Sequence, residues 1–295
     1  MKKSFTYYII LLIIRLNGIK KIFSKDPINF RKIRKGNVHH PVGLFFKKNQ
    51  LAKFKVSDTL VTEIGMNANS NKLLIFIHGG AFISGPAKHH WTAVKKIAKR
   101  TDYRVWMCDY PKAPESKIEQ MAANIDQVYE AALAKYLPGQ ISFIGDSAGG
   151  TLVTGLIQRL IKNNSTLPQK IILLSPVFDA SMSNPKIELV EDSDPMLSKI
   201  GVLSAKKMCL INDDLKNRII SPLYGSFEKF PKTILFLAEN DITFPDQKLA
   251  VRKMNDAKID LKVFIGENMP HIWPLLPVMK EAKKSFDQII DILNN

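Results

Sequence analysis

Short apolar strands alternating with amphipathic helices predict an α/β fold, a mostly parallel sheet flanked by helices. Three observations carry this reading. From residue 53 onward, strand and helix patterns take turns along the chain. Several strand segments are unbroken apolar runs, as expected for strands buried on both faces of a parallel sheet. The chain has 295 residues, 45% hydrophobic and 24% charged, an ordinary globular composition that excludes disordered, collagen-like and multi-span membrane classes.

The elements follow in order. Phe5 to Ile14 is the most apolar stretch, bracketed by Lys3 and Arg15. As a helix the intervening residues rise about 16 Å, roughly half of the ~30 Å hydrocarbon core, so the segment is too short to span. It has the length of a signal-peptide core, but Arg15-Leu-Asn-Gly-Ile-Lys-Lys21 offers no small-x-small cleavage site, which argues against secretion. It reads either as a helix packed on its own domain or as an interfacial helix on anionic lipid, and the two are compatible. Residues 53–56 and 59–64 have the period-2 look of half-exposed antiparallel strands. Buried strands are expected at 73–77, 104–108, 141–144, 171–174, 233–237 and 261–265, and helices at about 89–100, 117–136, 148–162 and 277–293. The stretch 177–230 breaks the rhythm with Pro185, Pro195 and Pro222 and reads as an insertion with helical pieces. The expected organisation is a basic, apolar N-terminal segment, 1–45, and a main domain, 46–295, with an insertion at about 177–230.

The charge is uneven. The formal net charge is +16, and residues 1–55 hold 14 Lys/Arg against a single acid, Asp26. That leaves a body close to neutral and a basic arm with its own task. No recognisable nucleic-acid module accompanies the arm, so nucleic acid is not an expected partner. Cys108 and Cys209 make neither a disulfide framework nor a zinc site, which favours a reduced, cytoplasmic setting.

Gly145-Asp-Ser-Ala-Gly-Gly150 follows one predicted strand and opens a helix. A serine there sits on a sharp strand-to-helix turn with its hydroxyl pushed out, and the helix N-terminus aims N–H groups where an oxyanion would form. His78-Gly-Gly-Ala-Phe82 directly follows another buried strand, and its glycines can present further N–H groups. His78 reads as a loop organiser, because it precedes the serine in the chain. Asp146, beside the serine, reads as structural.

These motifs, with Asp109-Tyr-Pro-Lys-Ala-Pro-Glu115, Ser175-Pro-Val-Phe-Asp179, Ser221-Pro-Leu223 and Met269-Pro-His271, resemble in content and order the hormone-sensitive lipase family of α/β-hydrolases over residues 70–280. The resemblance implies an α/β-hydrolase fold with a helical cap, and acyl hydrolysis without a cofactor or metal. Two departures bear on substrate preference: Ala81 replaces the third glycine of the commonest form, and Tyr110-Pro-Lys replaces the usual Tyr-Arg-Leu. In this architecture the nucleophile, acid and base come in the order Ser, Asp/Glu, His. His271 is the one histidine beyond residue 90 and becomes the expected base. Glu239, Asp241 and Asp246 are candidates for the acid, with Asp241 preferred on spacing.

The expected chemistry is therefore cleavage of carboxylic esters of short to medium acyl chains by Ser147, His271 and Asp241 through an acyl-enzyme, with Gly79, Gly80 and Ala148 donating to the oxyanion. A lipase, or an acetyl or formamide hydrolase at a membrane surface, would use the same triad. A non-catalytic ligand-binding protein would lack one of its members. Expected partners are a small ester and, through the basic arm, the surface of an anionic membrane. The apolar helix at 5–16 is expected to help roof the pocket.

Overall fold

The computed structural model describes residues 3–48 and 51–295, so residues 1 and 2 of the predicted arm lie outside it. Eight strands form one sheet: β1 (Ala52–Val56), β2 (Thr59–Ile64), β3 (Lys72–Ile77), β4 (Tyr103–Asp109), β5 (Ile141–Asp146), β6 (Lys170–Leu174), β7 (Lys232–Asn240) and β8 (Leu261–Pro270). Their order is β1-β2-β4-β3-β5-β6-β7-β8. The β1–β2 and β2–β4 pairs are antiparallel, and all others are parallel. The two edge-side strands that alternate in sequence are thus the antiparallel ones, and the unbroken apolar runs occupy the parallel centre.

The helices are α1 (Phe5–Leu16), α2 (Ile19–Phe23), α3 (Phe30–Arg34), α4 (Leu44–Lys48), α5 (Lys88–Arg100), α6 (Ile118–Leu133), α7 (Ala148–Lys162), α8 (Glu188–Glu191), α9 (Lys199–Met208), α10 (Phe244–Asp256) and α11 (Lys280–Asn294). Because successive strand residues point to opposite faces, the sheet divides the interior into two cores. Ile75, Ile77 and Phe143 pack with Met121, Ile125 and Val128 of α6 and Leu152 and Leu156 of α7. Their neighbours Leu74, Phe76 and Ile144 pack with Trp91 and Val94 of α5 and Phe286 and Ile289 of α11.

The arm is firmly attached. On α1, Tyr7, Ile10 and Ile14 are buried in the same core as α11. Ser4 donates to both carboxylate oxygens of Glu281, and the Tyr7 hydroxyl donates to the Asn268 carbonyl at 2.8 Å. Further on, α2 lies against α9 at Gly201, where a Cβ would overlap the carbonyl oxygen of Phe23. Lys20 donates to the carbonyls of Glu191 and Asp194, and the Ile28 N–H donates to Ser204 Oγ. Arg34 donates to the carbonyls of Ile83 and Ala113 at 2.7 Å and pairs with Glu115. Part of the basic charge is therefore spent inside the molecule.

Adding one methyl at the α2–α9 crossing has no room to be absorbed. Overpacking of this kind costs about 1–3 kcal/mol. Gly201→Ala is expected to loosen the arm and raise tryptic cleavage within residues 18–36 roughly tenfold under native conditions. Unchanged cleavage kinetics would show that this crossing does not hold the arm.

Candidate active site

Ser147 occupies the turn between β5 and α7 with φ 51° and ψ −120°, a conformation disfavoured for any residue with a Cβ. The turn survives because its surroundings leave no alternative. A Cβ on Gly145 would lie 2.8 Å from the Gly149 carbonyl oxygen, and one on Gly149 would overlap the Ile77 carbonyl. The helix start is thus drawn tight against β3 and β5, and Ser147 is pushed outward. Its hydroxyl does not cap α7; Ser147 lines a cavity of about 230 Å³ at the carboxyl ends of the strands.

His271 follows β8 directly and lines the same cavity. Its Nδ1 lies 2.6 Å from Asp241 Oδ2. Donation from Nδ1–H to the carboxylate leaves Nε2 as the acceptor nitrogen. Asp241 follows β7 directly and is fully buried. Its other oxygen accepts from the Thr243 N–H and hydroxyl at 2.9 and 2.7 Å. Burial pulls the His271 pKa down, but the charge and hydrogen bond of Asp241 outweigh it, with Asp194 and Asp146 adding, and the net shift is upward. The other two acid candidates serve elsewhere. Glu239 accepts from the Asn268 N–H at 2.9 Å, and Asp246 accepts from Asn184 at 2.8 Å, with burial raising its pKa to about 6.

The glycine loop needs one correction. The Gly79 N–H donates to Asp146 Oδ1 at 3.0 Å and is not free for an oxyanion. Gly79 and Gly80 both line the cavity, and so does Ala81, held at φ 55°. Among the described residues the N–H groups of Gly80, Ala81 and Ala148 have no hydrogen-bond acceptor. Sequence reasoning expected Gly79 and missed Ala81. The reason is physical: the buried Asp146 needs donors and takes the nearest one, which moves the open pair one residue along. The departure from a third glycine is harmless to this role, because a backbone N–H is common to every residue but proline.

Asp146 is the structural residue anticipated. Besides Gly79 it faces His90 Nε2 at 3.3 Å. Burial raises its pKa, yet the imidazoles of His90 and His89 and the Gly79 N–H outweigh it and the net shift is downward. His89, His90 and Asp146 are the one group of potential metal ligands among the described residues. They do not suit a cation: His90 Nδ1 accepts from the Ala87 N–H at 2.8 Å, so its Nε2 carries the proton toward Asp146, and both Asp146 oxygens are engaged.

A residue the sequence reading passed over is Asp194, in the insertion. It is fully buried and accepts from the N–H groups of Met196, Leu197 and Ile242 at 2.7, 2.9 and 3.0 Å. It thereby pins the residue next to Asp241, and burial, reinforced by the Asp241 charge, raises its pKa to about 7. Ser175 plays a matching part on the other side, accepting from the Ile272 N–H at 3.0 Å. The roof also differs from expectation. Ile19, Phe23 and Ile33 of the arm and Leu197 and Val202 of the insertion line the cavity. Residues 5–16 do not, because α1 spends its buried face on α11.

A family model described as the alpha/beta hydrolase fold matches residues 74–275. An esterase of Acinetobacter venetianus is 29% identical over 222 residues, covering 74% of this chain and 73% of that protein. A provisionally assigned esterase from Staphylococcus aureus has a crystal structure that superposes with a TM-score of 0.81 at 29% identity, over 93% of this chain and 92% of the other. An esterase described as belonging to the bacterial hormone-sensitive lipase family superposes with a TM-score of 0.86 at 23% identity, over 100% and 99% of the two chains.

The net upward shift at His271 rests on Asp241 against burial. The imidazole of the wild-type protein is expected to titrate above 6.5 in a long-range ¹⁵N NMR experiment. In Asp241→Asn burial is opposed only by the more weakly acting Asp194 and Asp146, and the midpoint should fall. A midpoint that Asp241→Asn leaves unmoved would contradict this balance.

Proposed function

The chain belongs to the alpha/beta hydrolase fold family and is a carboxylic ester hydrolase, and on that premise we propose that it cleaves small esters through Ser147, His271 and Asp241. The observation that carries the triad is the 2.6 Å contact between His271 and Asp241, with His271 sharing one cavity with the strained Ser147 turn. In this reading His271 Nε2 takes the hydroxyl proton as Ser147 Oγ attacks the carbonyl. Asp241 holds the tautomer and stabilises the imidazolium. The N–H groups of Gly80, Ala81 and Ala148 receive the oxyanion, each worth a few kcal/mol at the transition state. His271 returns the proton to the leaving alcohol, and water then clears the acyl-enzyme by the same steps.

The size of the cavity, about 230 Å³, lies below the ~300–1,000 Å³ usual for drug-sized ligands. With its apolar lining it favours short acyl chains. Turnover of p-nitrophenyl acetate and butyrate by the wild-type protein is expected to drop by about 10⁴-fold or more in Ser147→Ala. Equal rates in the two proteins would remove Ser147 from the mechanism. Paired ester and amide substrates then separate esterase from amidase activity on the same triad.

The outer face of α1 supports action at an anionic membrane surface. Phe5, Tyr8, Ile9, Leu12, Ile13 and Leu16 are exposed, with Phe5 at 79% and Leu16 at 77%. They recur at three- and four-residue steps and so share one face. Arg15, Lys21 and Lys25 nearby in the chain are also exposed, supplying charge complementary to anionic lipid at about 1 kcal/mol per residue. No helix among the described residues is long and apolar enough to cross a membrane, so the contact would be peripheral. The protein is expected to co-sediment with phosphatidylglycerol vesicles at low salt and less at high salt, and Leu12→Asp/Leu16→Asp should abolish the binding. Equal binding by the double variant would exclude α1 as the contact.

A further inference from the structure

Lys206, on α9 of the insertion, lines the same cavity as Ser147 and His271. It is 1% exposed, and its Nζ has no hydrogen-bond partner and no carboxylate partner among the described residues. The ammonium rests on the ring of Phe82, 4.0 Å from its centroid, and Phe82 ends the glycine loop that carries the candidate oxyanion donors. A buried ammonium without an acceptor is costly, and a cation–π contact recovers only part of that cost. Cavity-wall neighbours such as Phe23, Leu197 and Val202 are apolar and offer no acceptor. An anionic group brought by the ligand would complete the site.

We propose that Lys206 is a specificity-determining residue that pairs with an anionic group of the substrate, so that the preferred esters carry a carboxylate. This rests on the ester-hydrolysis reading above. A carboxylate drawn out of water into an apolar cavity is stable there only beside a cation, so the lysine both admits charged esters and fixes how they lie relative to Ser147. Burial holds the Lys206 pKa down at about 8; at neutral pH the amine is still mainly protonated, and an incoming carboxylate favours that charged form.

The test uses isosteric pairs in a pH-stat at pH 7. One arm places the charge on the acyl side, monoethyl succinate against ethyl succinamate. The other places it on the alcohol side, acetoxyacetate against acetoxyacetamide. The readout is the ratio of kcat/KM for the carboxylate over the amide, which cancels any general loss of activity. The wild-type ratio is expected to exceed roughly tenfold in one arm, as a charge-assisted hydrogen bond implies, and that arm identifies the side. Lys206→Met should bring the ratio down to about one, and Lys206→Arg should retain a preference. Lys206→Gln serves if the methionine variant does not fold. A wild-type ratio below one in both arms, or a ratio that Lys206→Met leaves unchanged, would overturn the proposal. Calorimetry of succinamate binding to Ser147→Ala, with and without Lys206→Met, reads the pairing independently of turnover. Where the acyl arm carries the preference, a roughly tenfold weaker affinity in the double variant is expected, and equal affinities there would likewise overturn it. Equal turnover by wild-type protein and Ser147→Ala would instead count against the hydrolytic reading.

Discussion

A buried carboxylate holds the reactive face together. Asp146 stands at the end of β5 with no access to solvent, and a charge in that position survives only if protein donors surround it. It takes the N–H of Gly79 from one loop and faces His90 on α5 from another. Those two demands lock the glycine loop to the serine turn. The same carboxylate leaves Gly79 no room for a side chain, since a Cβ there would meet Asp146 and lie 2.9 Å from Ser147 Cβ. The positions of the open N–H groups at Gly80 and Ala81 follow from what Asp146 has already claimed.

The other half of the site is organised on the same principle from a different part of the chain. Asp194 belongs to the insertion, yet its carboxylate binds the backbone beside Asp241, while Lys20 of the arm binds the Asp194 carbonyl. Arm, insertion and acid loop thus form one connected set of buried polar contacts. Such a set is strong only when every member is satisfied, so the roof of the cavity and the orientation of His271 depend on the same contacts. The cavity wall and the loop that carries Asp241 are not separable modules in this molecule.

Much of this was legible in the sequence, and the reasons are local. The strand at 73–77 is an unbroken apolar run and that at 141–144 is broken only by Ser142, as suits strands buried on both faces. Gly145, Ser147 and Gly149 declare a tight turn because only glycine permits such close approach of α7 to the sheet. His271 was legible by elimination, since no other histidine follows the serine. What stayed hidden depends on contacts across the fold. Nothing in the neighbourhood of Asp194 says that it will end beside Asp241, forty-seven residues further on. Lys206 looks in sequence like any exposed helical lysine, and the outer face of α1 like a helix meant for a core. The roof was assigned to the apolar helix at residues 5–16, following the resemblance, whereas residues 19–37, with shorter helices and more polar side chains, reach the cavity.

The placement of α1 against α11 also sets an order of events. Helix α1 packs on α11, far away in the chain, and contacts of this sequence separation form late. Until that contact forms, α1 is an apolar helix with Tyr7, Ile10 and Ile14 uncovered. The serine turn, built from β5, α7 and β3, can be complete before the roof is.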